Sequence, residues 1–130
     1  MKRPPAVAMR SDHENPLDGF YSLTYGGKKY RWAVPRLIEI AKDLPVFDCP
    51  LAALNLSYTL WTGQTMLEIA DHVARVMKAD LRFPIILDWE GQIADGRHRI
   101  IKALAEGRST IKAVRLTYRP EPCGVEHDEN

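Results

Sequence analysis

Two cysteines stand in 130 residues, and no apolar run reaches the roughly 18 residues that a membrane span needs. Cys49 lies in Phe47-Asp48-Cys49-Pro50 and Cys123 in a polar stretch near the C-terminus. That spacing makes neither a metal-binding pair nor a redox motif, so both are read as reduced structural or incidental thiols. Net charge is also missing. Eighteen Lys and Arg against 17 Asp and Glu leave +1, which by itself asks for no polyanionic partner. There is no internal repeat and no Walker-type glycine loop. No Ser/His/Asp constellation is visible along the chain, although a triad assembled only in three dimensions stays open at this level. The opening Met1-Lys2-Arg3-Pro4-Pro5 is basic, but no apolar signal core follows it. A cytoplasmic protein with no membrane partner is the expectation.

What is present fits one ordinary domain. Apolar residues make up 45% and charged residues 27%. A chain of this length buries enough surface to need no disulfide or metal staple. Residues 1–18, proline-rich and polar, read as a flexible arm; residues 19–118 as the folded domain; residues 119–130 as a disordered acidic tail. The middle segment holds 14 Lys and Arg against 10 Asp and Glu, a local balance of +4. The tail carries Glu121, Glu126, Asp128 and Glu129 against Arg119 alone. A mildly basic body permits nucleotide or nucleic-acid binding without demanding it.

Phe20 to Tyr25 and Lys28 to Trp32, joined by Gly26-Gly27, predict a β-hairpin. Pro35 suits the first turn of a short helix that ends before Pro45. An extended stretch is expected over Leu51 to Leu56, and Trp61-Thr62-Gly63 breaks the pattern. Thr65 and Glu68 have the spacing of a capping box, which starts a helix reaching Asp80. On it Met66, Ile69, Ala70, Val73 and Met77 share one face, expected to pack into the core rather than to bind a partner. His72 falls off that face and reads as a surface histidine. Pro84-Ile85-Ile86-Leu87-Asp88 predicts a buried strand, Trp89 to Gln92 a turn, and Ile93-Ala94 a second strand. A helix through Ile100, Ile101, Ala103 and Leu104 then stops at Gly107, and Ile111 to Tyr118 forms a last strand. Trp61 and Trp89 are read as packing residues near loops. The fold class is α+β: a small mixed sheet with two or three packed helices.

Ile93-Ala94-Asp95-Gly96-Arg97-His98-Arg99 is the unusual segment. Asp95 reads as the N-cap of the following helix, and Gly96 as a position where backbone comes close to a bound group. A helix start favours negative charge, yet Arg97, His98 and Arg99 occupy this first turn. A bound phosphate would reverse that unfavourable sign, because arginine grips phosphate through paired, charge-assisted hydrogen bonds. Against this stands the plainer reading of solvated arginines beside Asp95, Glu90 or Glu106.

The run from Pro84 to Leu116, with its apolar strand, Gly91 turn, Asp-Gly-x-His-Arg motif, alanine-bearing helix, Gly107 and final strand, resembles the ParB/sulfiredoxin superfamily. Pro50 to Leu54 and the helix from Thr65 fit its earlier elements more loosely. The resemblance implies a ParB/sulfiredoxin-like fold and a nucleotide or phosphate site at Asp95–Arg99. Gly96 would be the close-approach glycine, His98 and Arg99 the phosphate ligands, and Arg97 the variable position. It further implies a nucleoside triphosphate with Mg²⁺ as ligand and a setting in plasmid, phage or chromosome maintenance. Two departures narrow it. The slot that holds the sulfiredoxin cysteine is Arg97, so no thiolate is there for sulfur chemistry. Only about a dozen polar residues follow the last strand in this sequence, which leaves no room for a helix-turn-helix.

If the domain is an enzyme, nucleotide hydrolysis, phosphoryl transfer or phosphodiester cleavage is expected. His98 would be the candidate general acid or base, and Asp95 the candidate to reach a metal through the ligand phosphates. Asp88 and Glu90 are the other carboxylates nearby, read first as turn residues. Two alternatives belong to other classes. Tyr21, Tyr25, Tyr30 and Trp32 interleave with Lys28, Lys29 and Arg31 on the hairpin, a pattern that suits single-stranded nucleic acid or DNA. Alternatively the motif is structural, and the hairpin or the acidic tail contacts a protein partner.

Overall fold

Gly26 and Gly27 turn the chain back with φ of +61° and +72°, joining strand β1 (Phe20–Tyr25) to strand β2 (Lys28–Ala33). Positive φ at both central positions matches the twist of the two strands, and Tyr25 pairs with Lys28 across the turn. The computed structural model describes residues 19–57, 60 and 64–127. The arm expected over residues 1–18 and the break at Trp61-Thr62-Gly63 lie outside them.

After β2 the chain enters helix α1 (Val34–Ala41), with Pro35 in its first turn, and buries Val34, Leu37 and Ala41. Strand β3 (Phe47–Pro50) follows, and Leu51–Ala53 form a single 3-10 turn. The extended stretch therefore comes before Leu51, not across Leu51 to Leu56. Pro50, paired with Thr110, has no N–H to carry the ladder further. Helix α2 (Met66–Lys78) begins at the capping box, with the Glu68 N–H donating to Thr65 Oγ1 at 3.2 Å. Strand β4 (Ile85–Leu87), strand β5 (Ile93–Asp95), helix α3 (Arg97–Ala105) and strand β6 (Thr110–Arg115) complete the body.

The fold is α+β, but with two sheets. One is mixed, in the order β3-β6-β4-β5, with β4 and β6 parallel and the other pairs antiparallel. The other is the hairpin joined by strand β7 (Gly124–His127), which pairs antiparallel with β2. Part of the stretch expected to be a disordered tail is thus sheet. Its anchors are long-range: Trp32 Nε1 donates to the Pro120 carbonyl at 2.8 Å, and the Cys123 N–H to the Arg31 carbonyl at 2.7 Å. An unpaired β2 edge recruits a segment whose own composition argues for no structure.

Strand alternation divides the core. Ile85, Leu87, Ile111 and Ala113 face α3 with Cys49, Leu51, Ile93, Ile100 and Ala103. Ile86, Val114 and Leu116 face the hairpin and α1 with Tyr21, Trp32, Leu37 and Ala41. Apolar residues on both faces explain why Ile85 to Leu87 is an unbroken apolar run. Trp89 packs against Trp32 with centroids 5.1 Å apart and ring planes tilted by 59°, a packing residue as expected. Among the described residues, no helix is long and apolar enough to cross a membrane.

One expectation fails clearly. The α2 stripe does not enter the core: Met66 is 89% exposed, Met77 73%, and Ile69 and Val73 50% each. No residue of α2 is buried. The face of the mixed sheet is already covered by α3, and α2 lies against α3 through the half-buried His72 and through Lys102, whose Nζ donates to the Met77 and Ala79 carbonyls.

A carboxylate adds a polar link between the two sheets. Tyr21 Oη donates to Asp88 Oδ2 at 2.7 Å, and Asp88 Oδ1 accepts from the Glu90 and Gln92 N–H groups at 2.8 and 2.9 Å. Asp88→Ala orphans buried donors and is expected to cost about 3 kcal/mol in urea unfolding, against about 1 kcal/mol for Tyr21→Phe. A loss below about 0.5 kcal/mol for Asp88→Ala would show that the carboxylate is not the coupling element.

Candidate functional site at the start of helix α3

Asp95 closes β5, and Gly96 occupies the N-cap of α3 with φ +114° and no side chain to cap it. Asp95 is therefore not the N-cap. Its carboxylate turns inward, where Arg99 Nη2 donates to Oδ2 at 3.1 Å. Arg99 Nη1 donates to the Pro84 carbonyl at 2.7 Å and to that of Phe83 at 3.1 Å. The two side chains are 2% and 3% exposed. A guanidinium so enclosed ties the end of β5, the first turn of α3 and the entry to β4 together. Arg99 and Asp95, both expected at the phosphate site, are buried here and hydrogen-bonded to each other. Spacing alone could have indicated this: residues four apart at a helix start can pair.

Gly96 is a close-approach glycine, as expected, but the approach is to the chain itself. A Cβ there would stand 2.4 Å from Ile85 Cγ2 and 2.7 Å from Ile85 Cβ. Together with the positive φ, this packs the α3 start directly on β4.

Of the remaining residues of the motif, Arg97 reaches the surface and His98 is buried. Arg97 is exposed. His98, 7% exposed, lies with its Nε2 3.0 Å from Nδ1 of His72, the rings 5.3 Å apart and 19° from parallel. His72 is thus not a bare surface histidine; α2 brings it to the motif across 26 residues of sequence, which no local pattern signals. In such a pair one ring nitrogen donates and the other accepts, so the tautomers are linked. No acidic residue stands in the first turn of α3. Arg97 also borders a shallow groove lined by Leu56, Ile93, Ile100, Ile101 and Leu104.

The site supplies little for a metal. Asp95 is engaged with Arg99, and Asp88 with Tyr21 and its own turn. Among the described residues, no group of three or more His, Cys, Asp or Glu is placed to hold an ion. A magnesium ion would have to arrive on ligand phosphates rather than on the candidate Asp95. In comparisons with protein families, curated proteins and solved structures, this chain matches none.

The hairpin residues divide. Lys28 and Lys29 are exposed near the turn, while Arg31 pairs with Glu126 of β7 at 3.2 Å. Tyr25 and Tyr30 stack at 4.5 Å, and Arg119 lies over Tyr25, Tyr30 and Trp32 at 5.1, 4.7 and 5.6 Å from their centroids. A guanidinium of the same chain thus lies on the aromatic row, while Tyr25 stays 42% exposed. Trp32 is fully buried and Tyr21 nearly so. Both cysteines are free thiols. Burial pushes Cys49 above the usual cysteine range. The Ala33 N–H donated to its sulfur, and then Arg36, hold Cys123 below that range.

Two substitutions separate scaffold from surface. Arg99→Ala leaves Asp95 charged and buried and is expected to cost about 3–5 kcal/mol. In a double-mutant cycle, Asp95→Leu with Arg99→Met should cost less than the sum of the singles by about 1–3 kcal/mol; additivity would contradict a buried pair. Gly96→Ala is expected to lose about 2–4 kcal/mol through strain and overlap with Ile85. An unchanged unfolding midpoint would contradict the contact with β4.

Proposed function

We propose that this ParB/sulfiredoxin-like domain binds a nucleotide or other phosphate-bearing ligand at the start of α3, through Arg97, His98 and the backbone after Gly96. The observation that carries this reading is a helix start with no capping side chain and no acid, on which Arg97 is exposed beside the His72–His98 pair. The positive end of a helix and an exposed arginine repel each other, and a bound phosphate turns both into attraction. The ligand set differs from the one implied by resemblance. Arg99 holds the turn in place from beneath, and Arg97, the variable position, becomes the outward cation.

A nucleoside triphosphate with Mg²⁺ suits the site if the ion travels with the phosphates. Hydrolysis or phosphoryl transfer would rest on electrostatics from Arg97, with His98 moving a proton through its link to His72. A role in plasmid, phage or chromosome maintenance follows from the resemblance alone.

ATP, CTP, GTP and ADP, each with magnesium, test the reading by thermal unfolding. A ligand at 100 times its dissociation constant should stabilise the protein by about 2.7 kcal/mol. Arg97→Ala should remove that response while changing ligand-free stability by no more than about 0.5 kcal/mol, because the side chain is exposed. Lys28→Ala should retain it. Absence of a response to all four nucleotides, or a response that survives Arg97→Ala, would sink the reading.

A further inference from the structure

Helix α2 is held to the body without a buried residue of its own. Two polar ties link it to α3. Lys102 Nζ donates to the Met77 and Ala79 carbonyls at 3.1 and 2.7 Å, and His72 Nδ1 stands 3.0 Å from His98 Nε2. The two ring centroids lie 5.3 Å apart, longer than the distance between the nitrogens by about two imidazole ring radii, so both nitrogens sit on the line joining the rings. The contact is head-on. Lone pairs aimed at each other do not converge on a metal ion, but they hold one proton between them.

We propose that this pair is a proton-operated latch: α2 docks on α3 while the two imidazoles carry at most one added proton, and a second one releases it. With both rings neutral, one donates its N–H and the other accepts; with one proton added, the charged ring donates to the neutral one. A second added proton leaves two donors and two positive charges facing each other across 3.0 Å, with His98 only 7% exposed. The acids on the elements that meet here are already engaged. On α2, Glu68 accepts from Thr65 Oγ1 and Asp71 pairs with Arg75; in the turn before β4, Asp80 pairs with Arg82; at the end of β5, Asp95 pairs with Arg99. Arg97 before His98 and Lys102 one turn after it add positive charge on the α3 side.

The docked helix binds one proton fewer than the released one, so falling pH favours release. Below about pH 6, where free imidazoles charge, the balance should move about tenfold per pH unit. Neither ring belongs to the two apolar clusters around the mixed sheet, so the sheet outlasts the release. Release uncovers His98 and places its charge beside Arg97. The latch needs no ligand, and it stands or falls apart from phosphate binding.

Hydrogen exchange on the full, ligand-free chain tests this, corrected for the intrinsic rate and followed from about pH 7.5 to about pH 5. Amides of α2 should keep their protection to about pH 6 and then lose it about tenfold per pH unit, while those of β4 and β6 keep theirs. In His72→Gln the new side chain can still pair with His98 but cannot charge, and α2 should stay protected down to about pH 5. Lys102→Met removes the other tie and should lower α2 protection by one factor at every pH, leaving the slope. The imidazole Cε1–H signals of the wild-type chain give a reading free of substitution: the two rings should titrate in linked steps, the second coinciding with the loss of α2 protection. Protection of α2 unchanged down to about pH 5, a loss that persists in His72→Gln, or a loss that strikes β4 and β6 at the same pH would overturn the latch.

Discussion

The guanidinium of Arg99 sits where three segments meet, and the rest of the motif is arranged around it. It donates to the Asp95 carboxylate and to the carbonyls of Phe83 and Pro84. Desolvating an arginine and an aspartate is costly, and only close geometry with several hydrogen bonds offsets it. Once the pair is formed, the end of β5 and the first turn of α3 cannot move independently of the entry to β4. Gly96 follows from the same constraint, since the chain passes close enough to Ile85 that no Cβ fits.

That inward pair explains the odd charge pattern at the start of α3. Of the two arginines in the turn, Arg99 is neutralised from within and Arg97 is left outside, with His98 between them and linked to His72. The turn therefore has an inner half that determines position and an outer half that carries positive charge. The helix start has little backbone freedom, because the layer below it is already ordered.

Much of the architecture was legible because it rests on short-range chemistry. Gly26-Gly27 between two β-favouring runs specified the hairpin; Thr65 and Glu68 marked the start of α2; the run Ile85 to Leu87 read as a buried strand. The geometry of the turn after Asp95 was less legible. Arg97 and Arg99 stand two residues apart, yet which cation faces inward depends on carbonyls 15 and 16 residues earlier. Asp95 was misread for the same reason: an aspartate before a helix is usually its cap, unless an arginine four residues on claims it.

Local sequence determined which segments are helix, strand and turn, because caps, primed turns and alternation act over a few residues. Tertiary structure alone decided three things. It added β7 to the hairpin, because β2 had an open edge and Trp32 and Arg31 offered distant anchors. It turned the α2 stripe outward, because α3 had already covered the sheet. And it brought His72 to His98, because helix packing ignores distance along the chain. Amphipathicity tells a helix which face is apolar; only the space left by its neighbours tells that face where to go.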